Sequence, residues 1–160
     1  MTVHGTNDLS ITQNVAYGTT GHCFFMEDGA ETGNTLSGNL AMLVRAPDSK
    51  KGETPLLTFD KNPAAYWITN PSNTQTGNVA AGTDGSRFWY ALPEHTTGPA
   101  AAGGSVWSRH TALSSFKGNP AHSGGTGLNV DDGNRADGTT TEMNYQRLFE
   151  KQLAGSCAAT

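Results

Sequence analysis

"SITQNVAYGTTGHCFFM", residues 10–26, decides the fold because it comes back. It recurs loosely as "TLSGNLAMLV" at 35–44, as "TQTGNVAAGTDGSRFWY" at 74–90 and as "SSFKGNPAHSGGTGLNV" at 114–130. Each copy carries an Asn, an apolar residue or Pro, then Ala; in three of them a Gly-containing turn and a second short apolar run follow. The asparagines are Asn14, Asn39, Asn78 and Asn119. The first spacing, 25 residues, is about one coil of a β-solenoid. The later spacings are longer by the Pro/Gly/Lys-rich stretches 46–65 and 91–110, which read as loops thrown out from the coil.

Strands of three to five residues separated by Gly and Asn cannot bury a face alone, but stacking coil on coil buries a continuous apolar column. The expected fold is all-β: a right-handed parallel β-helix of about three to five coils over residues 1–130. Asn at one place in each coil can donate its side-chain amide to the next coil and tolerates the left-handed backbone of a corner. The four asparagines are therefore expected on equivalent corners, as a structural ladder rather than a glycan or substrate site. "NPS" at Asn70 has the outline of a glycosylation triplet, and its Pro forbids it. Both ends of such a solenoid would carry unpaired strand edges, so self-association through them is expected.

Composition agrees. Of 160 residues, 35% are hydrophobic, 15% are charged and 20 are Gly, and good helix formers are sparse before Glu142. A formal net charge of −4 excludes the basic face of a nucleic-acid binder and favours a neutral or polyhydroxylated partner over a polyanion. No run approaches the roughly 20 apolar residues of a membrane span. The start, "MTVHGTNDLS", shows no signal peptide. Two cysteines make no disulfide framework: Cys23 reads as a small buried thiol, and Cys157 lies in a small-residue tail. Walker, zinc-spacing and nucleophile-elbow motifs are absent from the sequence.

Residues 131–160 form a second part. "DDGNRADGTTTEMN" is polar and turn-rich, with Asp131 and Asp132 in a turn; Met143, Leu148, Phe149 and Leu153 then predict one short amphipathic helix stopped by Gly155.

"GH..F.EDG.E..N" from Gly21, "WITNP.N" from Trp67 and "FWY.LP.H.TGP" from Phe88 occur in order. From about Asn7 to Val130 the chain resembles the β-helix region of the cell migration-inducing and hyaluronan-binding protein family, with its cell-surface hyaluronidases and fibrocystin-like proteins. The resemblance implies a parallel β-helix, a polysaccharide such as hyaluronan as partner and an extracellular or cell-surface parent protein. Relatives carry further domains, including one called G8, so the chain is expected to be a slice of a longer solenoid. It transfers no catalytic residue to this stretch.

The chemistry-bearing residues cluster first in "GHCFFMEDGAETGN", 21–34. His22, Glu27, Asp28 and Glu31 could gather at a ligand or calcium site, calcium preferring several oxygen ligands. Alternation places Cys23 and Phe25 on one face of the strand, Phe24 and Met26 on the other. Glu27 and Asp28 then diverge and Asp28-Gly29 makes the turn, so Glu27 and Glu31 are the expected calcium pair, with the carboxylates outside. The plainer alternative is a solvated corner. Trp89, on the face opposite Phe88 and Tyr90, and Trp67 could offer stacking platforms to sugar rings. His95 in "PEHTTGP", with Glu94, and His122 in "AHS" are candidates for acid–base work.

Three functions follow: a carbohydrate-associated module, a structural spacer without a site, or a polysaccharide-degrading enzyme whose groove includes His22 and Glu27.

Overall fold

The computed structural model describes residues 1–56, 58–103 and 106–131. The expected amphipathic helix, Asp132 and Cys157 lie outside the described residues. The chain runs through β1 (Thr2–Val3), β2 (Ser10–Thr12) and β3 (Val15–Tyr17), then β4 (Phe24–Met26), β5 (Thr35–Ser37) and β6 (Leu40–Val44). It continues with β7 (Ala64–Ile68), β8 (Thr74–Thr76) and β9 (Val79–Thr83), then β10 (Ser86–Ala91), β11 (Ser115–Lys117), β12 (Ala121–His122) and β13 (Leu128–Asp131). Helix among the described residues is confined to short 3-10 segments at 49–51, 58–61, 98–103 and 108–110.

Every third strand pairs. One sheet runs β1-β4-β7-β10-β13, a second β2-β5-β8-β11 and a third β3-β6-β9-β12, and the strand pairs are parallel. The chain therefore visits three sheets in turn and stacks each strand on its predecessor, the arrangement of a β-helix.

Register puts like residues in columns. In the first sheet Phe24, Tyr66 and Phe88 align and stack nearly parallel, with ring centroids 4.9 and 4.7 Å apart. In the second, Ile11, Leu36, Gln75 and Phe116 align, all buried. In the third, the Ala of each sequence copy forms one row: Ala16, Ala41, Ala80 and Ala121. These small residues leave width for the aromatic column opposite. Tyr66 uses that width: its hydroxyl donates to the Asn39 carbonyl, 2.8 Å away across the interior.

The first sheet is also covered outside. Phe25, Trp67 and Trp89 form an outward column, and Phe59 from the loop before β7 packs on it. Burial on both faces explains the uninterrupted apolar runs "AAYWI" at 64–68 and "FWYAL" at 88–92. Cys23 departs from the expected alternation: it joins Phe24 and Met26 in the interior, because the strand begins only at Phe24.

At one corner the repeated asparagines bridge the layers. The backbone N–H of Asn14 donates to Asn39 Oδ1, that of Asn39 to Asn78 Oδ1 and that of Asn78 to Asn119 Oδ1, at 2.9–3.0 Å. In return the side-chain amides of Asn39, Asn78 and Asn119 donate to the carbonyls of Ile11, Leu36 and Gln75. The left-handed conformation expected of the asparagines falls instead on the residue before each: Gln13, Gly38, Gly77 and Gly118, with φ of 57–65°. The preceding residue makes the bend, leaving Asn to bridge.

Candidate functional site

β4 delivers the residues of the 21–34 stretch to two different places. Met26 points inward, so its neighbours Phe25 and Glu27 point outward, and the chain then folds around a corner through Asp28, Gly29 and Glu31.

At that corner the carboxylates are not outside. Asp28 and Glu31 are buried, and only Glu27 is partly exposed. Glu31 is consumed by the backbone: it accepts from the N–H groups of Gly5, Asp28 and Gly29 at 3.0–3.2 Å. His4, a residue that sequence reasoning did not single out, brings Nδ1 to 3.0 Å from Glu27 and 3.5 Å from Asp28. Burial first, then the neighbouring Glu31, pushes the Asp28 carboxyl above the usual carboxylate range; His4 and a backbone hydrogen bond from Ala100 act the other way.

The same corner anchors the loop after β10. Thr97 donates its backbone N–H to the Asp28 carbonyl, and the side chains of Asn70 and Ser108 donate to the Gly29 carbonyl. Gly29, at φ 84°, is needed here: a Cβ would lie 2.9 Å from Ser108 Oγ and 3.2 Å from Pro93.

His4, Asp28 and Glu31 are the group of described residues whose ligand atoms approach one another closely enough for one ion, within 4.8 Å. The expected pair was Glu27 and Glu31, with Asp28 consumed by the turn. The geometry couples Asp28 with Glu31 instead, since Glu27 leaves on the outward face. One ring nitrogen and a carboxylate already holding three N–H groups make a poor donor set for calcium, which prefers six to eight oxygens.

The second place is a cleft of about 330 Å³ on the outward side of β4. Phe25 and Leu56 form its apolar wall; Thr2 and Thr20 supply hydroxyls; Glu27 and Asp60 supply carboxylates. His22 lies beneath, its side chain 2% exposed, stacked on Phe25 and tilted against Trp67 and Phe59. Its Nδ1 accepts the Ala64 backbone N–H at 3.0 Å, which places the neutral ring's proton on Nε2. That atom has no hydrogen-bond partner and stands 3.7 Å from Asp60 Oδ1. Burial lowers the His22 pKa to about 4 despite the carboxylate of Asp60, so the ring is neutral at pH 7.

The other candidates stand apart. Trp67 and Trp89 are only 5% and 4% exposed, so these two rings of the outward column are covered and offer no open platform. His95 is exposed in the loop after β10 and meets Trp107 edge-on at 4.6 Å; Trp107 meets His110 at the same distance. His122 is exposed on β12, beside Ser123. His95 and His122 thus sit on different elements.

Sequence reasoning also missed Asp60 and a second ladder. Asn34 Oδ1 accepts from Leu9 N–H, and Asn73 Oδ1 from Asn34 N–H. The dipeptide "GN" at 33–34 repeats the signal at 38–39 and 77–78 and could have found Asn34. Asn73 lacks the preceding Gly. Among the described residues no helix is long and apolar enough to cross a membrane.

The model of the CEMIP beta-helix family matches residues 1–128. Fibrocystin-L of Mus musculus is 39% identical over 125 residues, which is 78% of this chain and 3% of that protein. The cell migration-inducing and hyaluronan-binding protein of Homo sapiens is 35% identical over 153 residues, 83% of this chain and 11% of that protein. Cell surface hyaluronidase CEMIP2 of Homo sapiens is 35% identical over 116 residues, 61% of this chain and 8% of that protein. The chain thus spans between 3% and 11% of the length of these relatives.

Proposed function

Because this chain belongs to the CEMIP beta-helix family, we propose that it is a carbohydrate-associated β-helix module of a larger extracellular or cell-surface protein. One observation carries the proposal beyond kinship: the cleft beside β4 combines an apolar wall with hydroxyl and carboxylate groups, the mixture that binds a sugar ring by its C–H face and its hydroxyls. Two of the relatives are named for binding or cleaving hyaluronan, which makes hyaluronan oligosaccharides the first ligands to test. In this proposal the module winds right-handed, as parallel crossovers overwhelmingly do. It forms about three to five coils over residues 1–130, and its end strands offer edges for self-association.

Calorimetric titration with hyaluronan oligosaccharides, and separately with Ca²⁺, tests the module. The proposal expects saturable heat for the sugar that Leu56→Glu abolishes; Leu56 is 95% exposed, so that change spares the fold. Calcium at Glu27 and Glu31 would show as heat lost in Glu27→Gln, and the donor set described above predicts none. A second reading, a spacer without a site, is supported by the corner at Asp28–Glu31, whose polar groups serve backbone and loop anchoring. Folded protein that gives no heat with any saccharide would decide for it. The third reading, an enzyme, draws support from His22 and Glu27 lining one cleft; loss of polymer length on incubation with hyaluronan would establish it.

A further inference from the structure

We infer that the cleft beside β4 seats one neutral pyranose ring and discriminates against a uronate at the same position. The inference rests on the carbohydrate reading and adds to it the charge of the sugar unit.

Size comes first. About 330 Å³ lies at the lower end of small-molecule sites, enough for one ring and too little for a longer stretch of polymer. Shape comes second. Phe25 lies at the wall and the exposed Leu56 at the rim, so an apolar sugar face meets carbon on entry.

Charge decides the class. Among the described residues, the ionisable groups lining the cleft are Glu27, Asp60 and His22, with no Lys or Arg. His22 is neutral at pH 7 and supplies no positive charge. Two carboxylates are acceptors for ligand hydroxyls, and they repel a ligand carboxylate brought into the same low-dielectric space. Sugar hydroxyls are the complementary donors. The hydroxyls of Thr2 and Thr20 can serve either way.

His22 acts as a positioning residue. Its Nδ1 is fixed by Ala64 N–H, and its Nε2–H faces Asp60 at a distance too long for a hydrogen bond. A buried donor left unmade is costly. A ligand hydroxyl that pulls the Asp60 carboxylate inward by a fraction of an ångström completes that bond, so ring binding and His22 satisfaction are coupled. His4 Nδ1 lies 3.0 Å from Glu27 and holds the second carboxylate in place.

The test uses the full chain with isotope-labelled histidine, followed by NMR. The probes are methyl β-D-glucopyranoside and methyl β-D-glucuronide, which differ only in a neutral hydroxymethyl against a carboxylate. The expected result is saturable movement of the His22 ring resonances with the glucoside, and binding of the glucuronide at least about tenfold weaker at pH 7. Glu27→Gln should narrow that ratio several-fold, since it removes one repelling charge while keeping an acceptor. On saturation with the glucoside, the low titration midpoint of His22 should rise, because Asp60 has drawn closer; a purely structural His22 would not move. Equal or tighter binding of the glucuronide overturns the inference. So does absence of any glucoside effect on His22. If hyaluronan oligosaccharides bind while His22 stays unmoved by either probe, the neutral-ring inference falls and the module reading stands. If no saccharide binds, both fall.

Discussion

Two corners of this solenoid solve the same problem with different chemistry. At one, Asn39 and Asn78 satisfy the backbone of the layer beside them with neutral amides, and the same bridge repeats from layer to layer. At the other, a single buried carboxylate, Glu31, gathers three backbone N–H groups, Asp28 lies beside it, and no other buried Glu among the described residues repeats the device. The amide corner is indifferent to pH and extends to any number of layers. Among the described residues the acid corner is made once, and it holds the loop after β10 against the coil through the Asp28 and Gly29 carbonyls, which accept from Thr97 N–H and the Ser108 hydroxyl. Repetition builds the rod, and a local exception fixes the loop to it.

Asn39→Ala is the largest expected effect. Asn39 is fully buried, accepts from Asn14 and donates to Ile11 O and Asn78 Oδ1. Truncation orphans several groups at about 1–3 kcal/mol each, so a loss of about 4 kcal/mol is expected. Asn119→Ala, at the last rung and partly exposed, should cost about 1 kcal/mol. Urea unfolding of both variants checks the pair; equal losses would mean the ladder does not act through burial.

Acid comes second, and it probes the cleft rather than either corner. The folded pKa of His22, about 4, lies below its unfolded value of 6.5. Stability from this group is present above the unfolded value and is lost as pH falls through the folded one. A tenfold change in proton affinity is worth about 1.4 kcal/mol, so roughly 3 kcal/mol should disappear between pH 6.5 and 4. His22→Phe keeps the stacking and should flatten that slope in urea titrations run across the window. An unchanged slope would show that His22 is not the group responsible.

Gly29→Ala is third. At φ 84°, with Ser108 and Pro93 in the path of a Cβ, it should cost about 1–3 kcal/mol. Proteolytic cutting between 92 and 110 should also rise, because the loop loses its anchor. Loss of stability without new cleavage would separate the corner from the loop.

What was legible in the sequence follows the same division. The amide corner could be read because each layer needs the same residue in the same place, so Asn14, Asn39, Asn78 and Asn119 announce themselves as a repeat. The bend lies one residue before each Asn, at Gln13, Gly38, Gly77 and Gly118, since either member of such a pair can bend and only the bridge decides which. The acid corner could not be read. Whether Glu31 is buried depends on Gly5 from the preceding layer, and whether Asp28 is buried depends on the loop at Gly98. Neither contact is local, and neither recurs. Likewise Asp60 reaches His22 from a 3-10 turn inside a loop that carries no periodic signal. Alternation sets Trp89 on the face opposite Phe88 and Tyr90 but does not say which face is outer, and its cover comes from Trp67 on another strand, with Phe59 from a loop packed on Trp67.

The smallest effect is the most diagnostic of the acid corner. Burial and then Glu31 raise the Asp28 pKa, so the ionised carboxylate is a burden on the folded state. Its favourable contribution is complete below the unfolded pKa and is lost as pH rises through the higher folded one, opposite in sign to His22. Asp28→Asn keeps an acceptor for the Ala100 N–H and removes the charge. It should stabilise the protein at pH 7 by less than about 1 kcal/mol, part of the gain being offset by the pairing with half-exposed His4. Below the unfolded carboxylate range the two proteins should unfold at the same urea concentration. A variant that is instead weaker at pH 7 would show that the corner needs its second negative charge. The group it then answers to would be the neighbouring His4, or a metal ion at His4, Asp28 and Glu31. Repeating the urea titration with chelator present would tell these apart, since only the metal's contribution disappears.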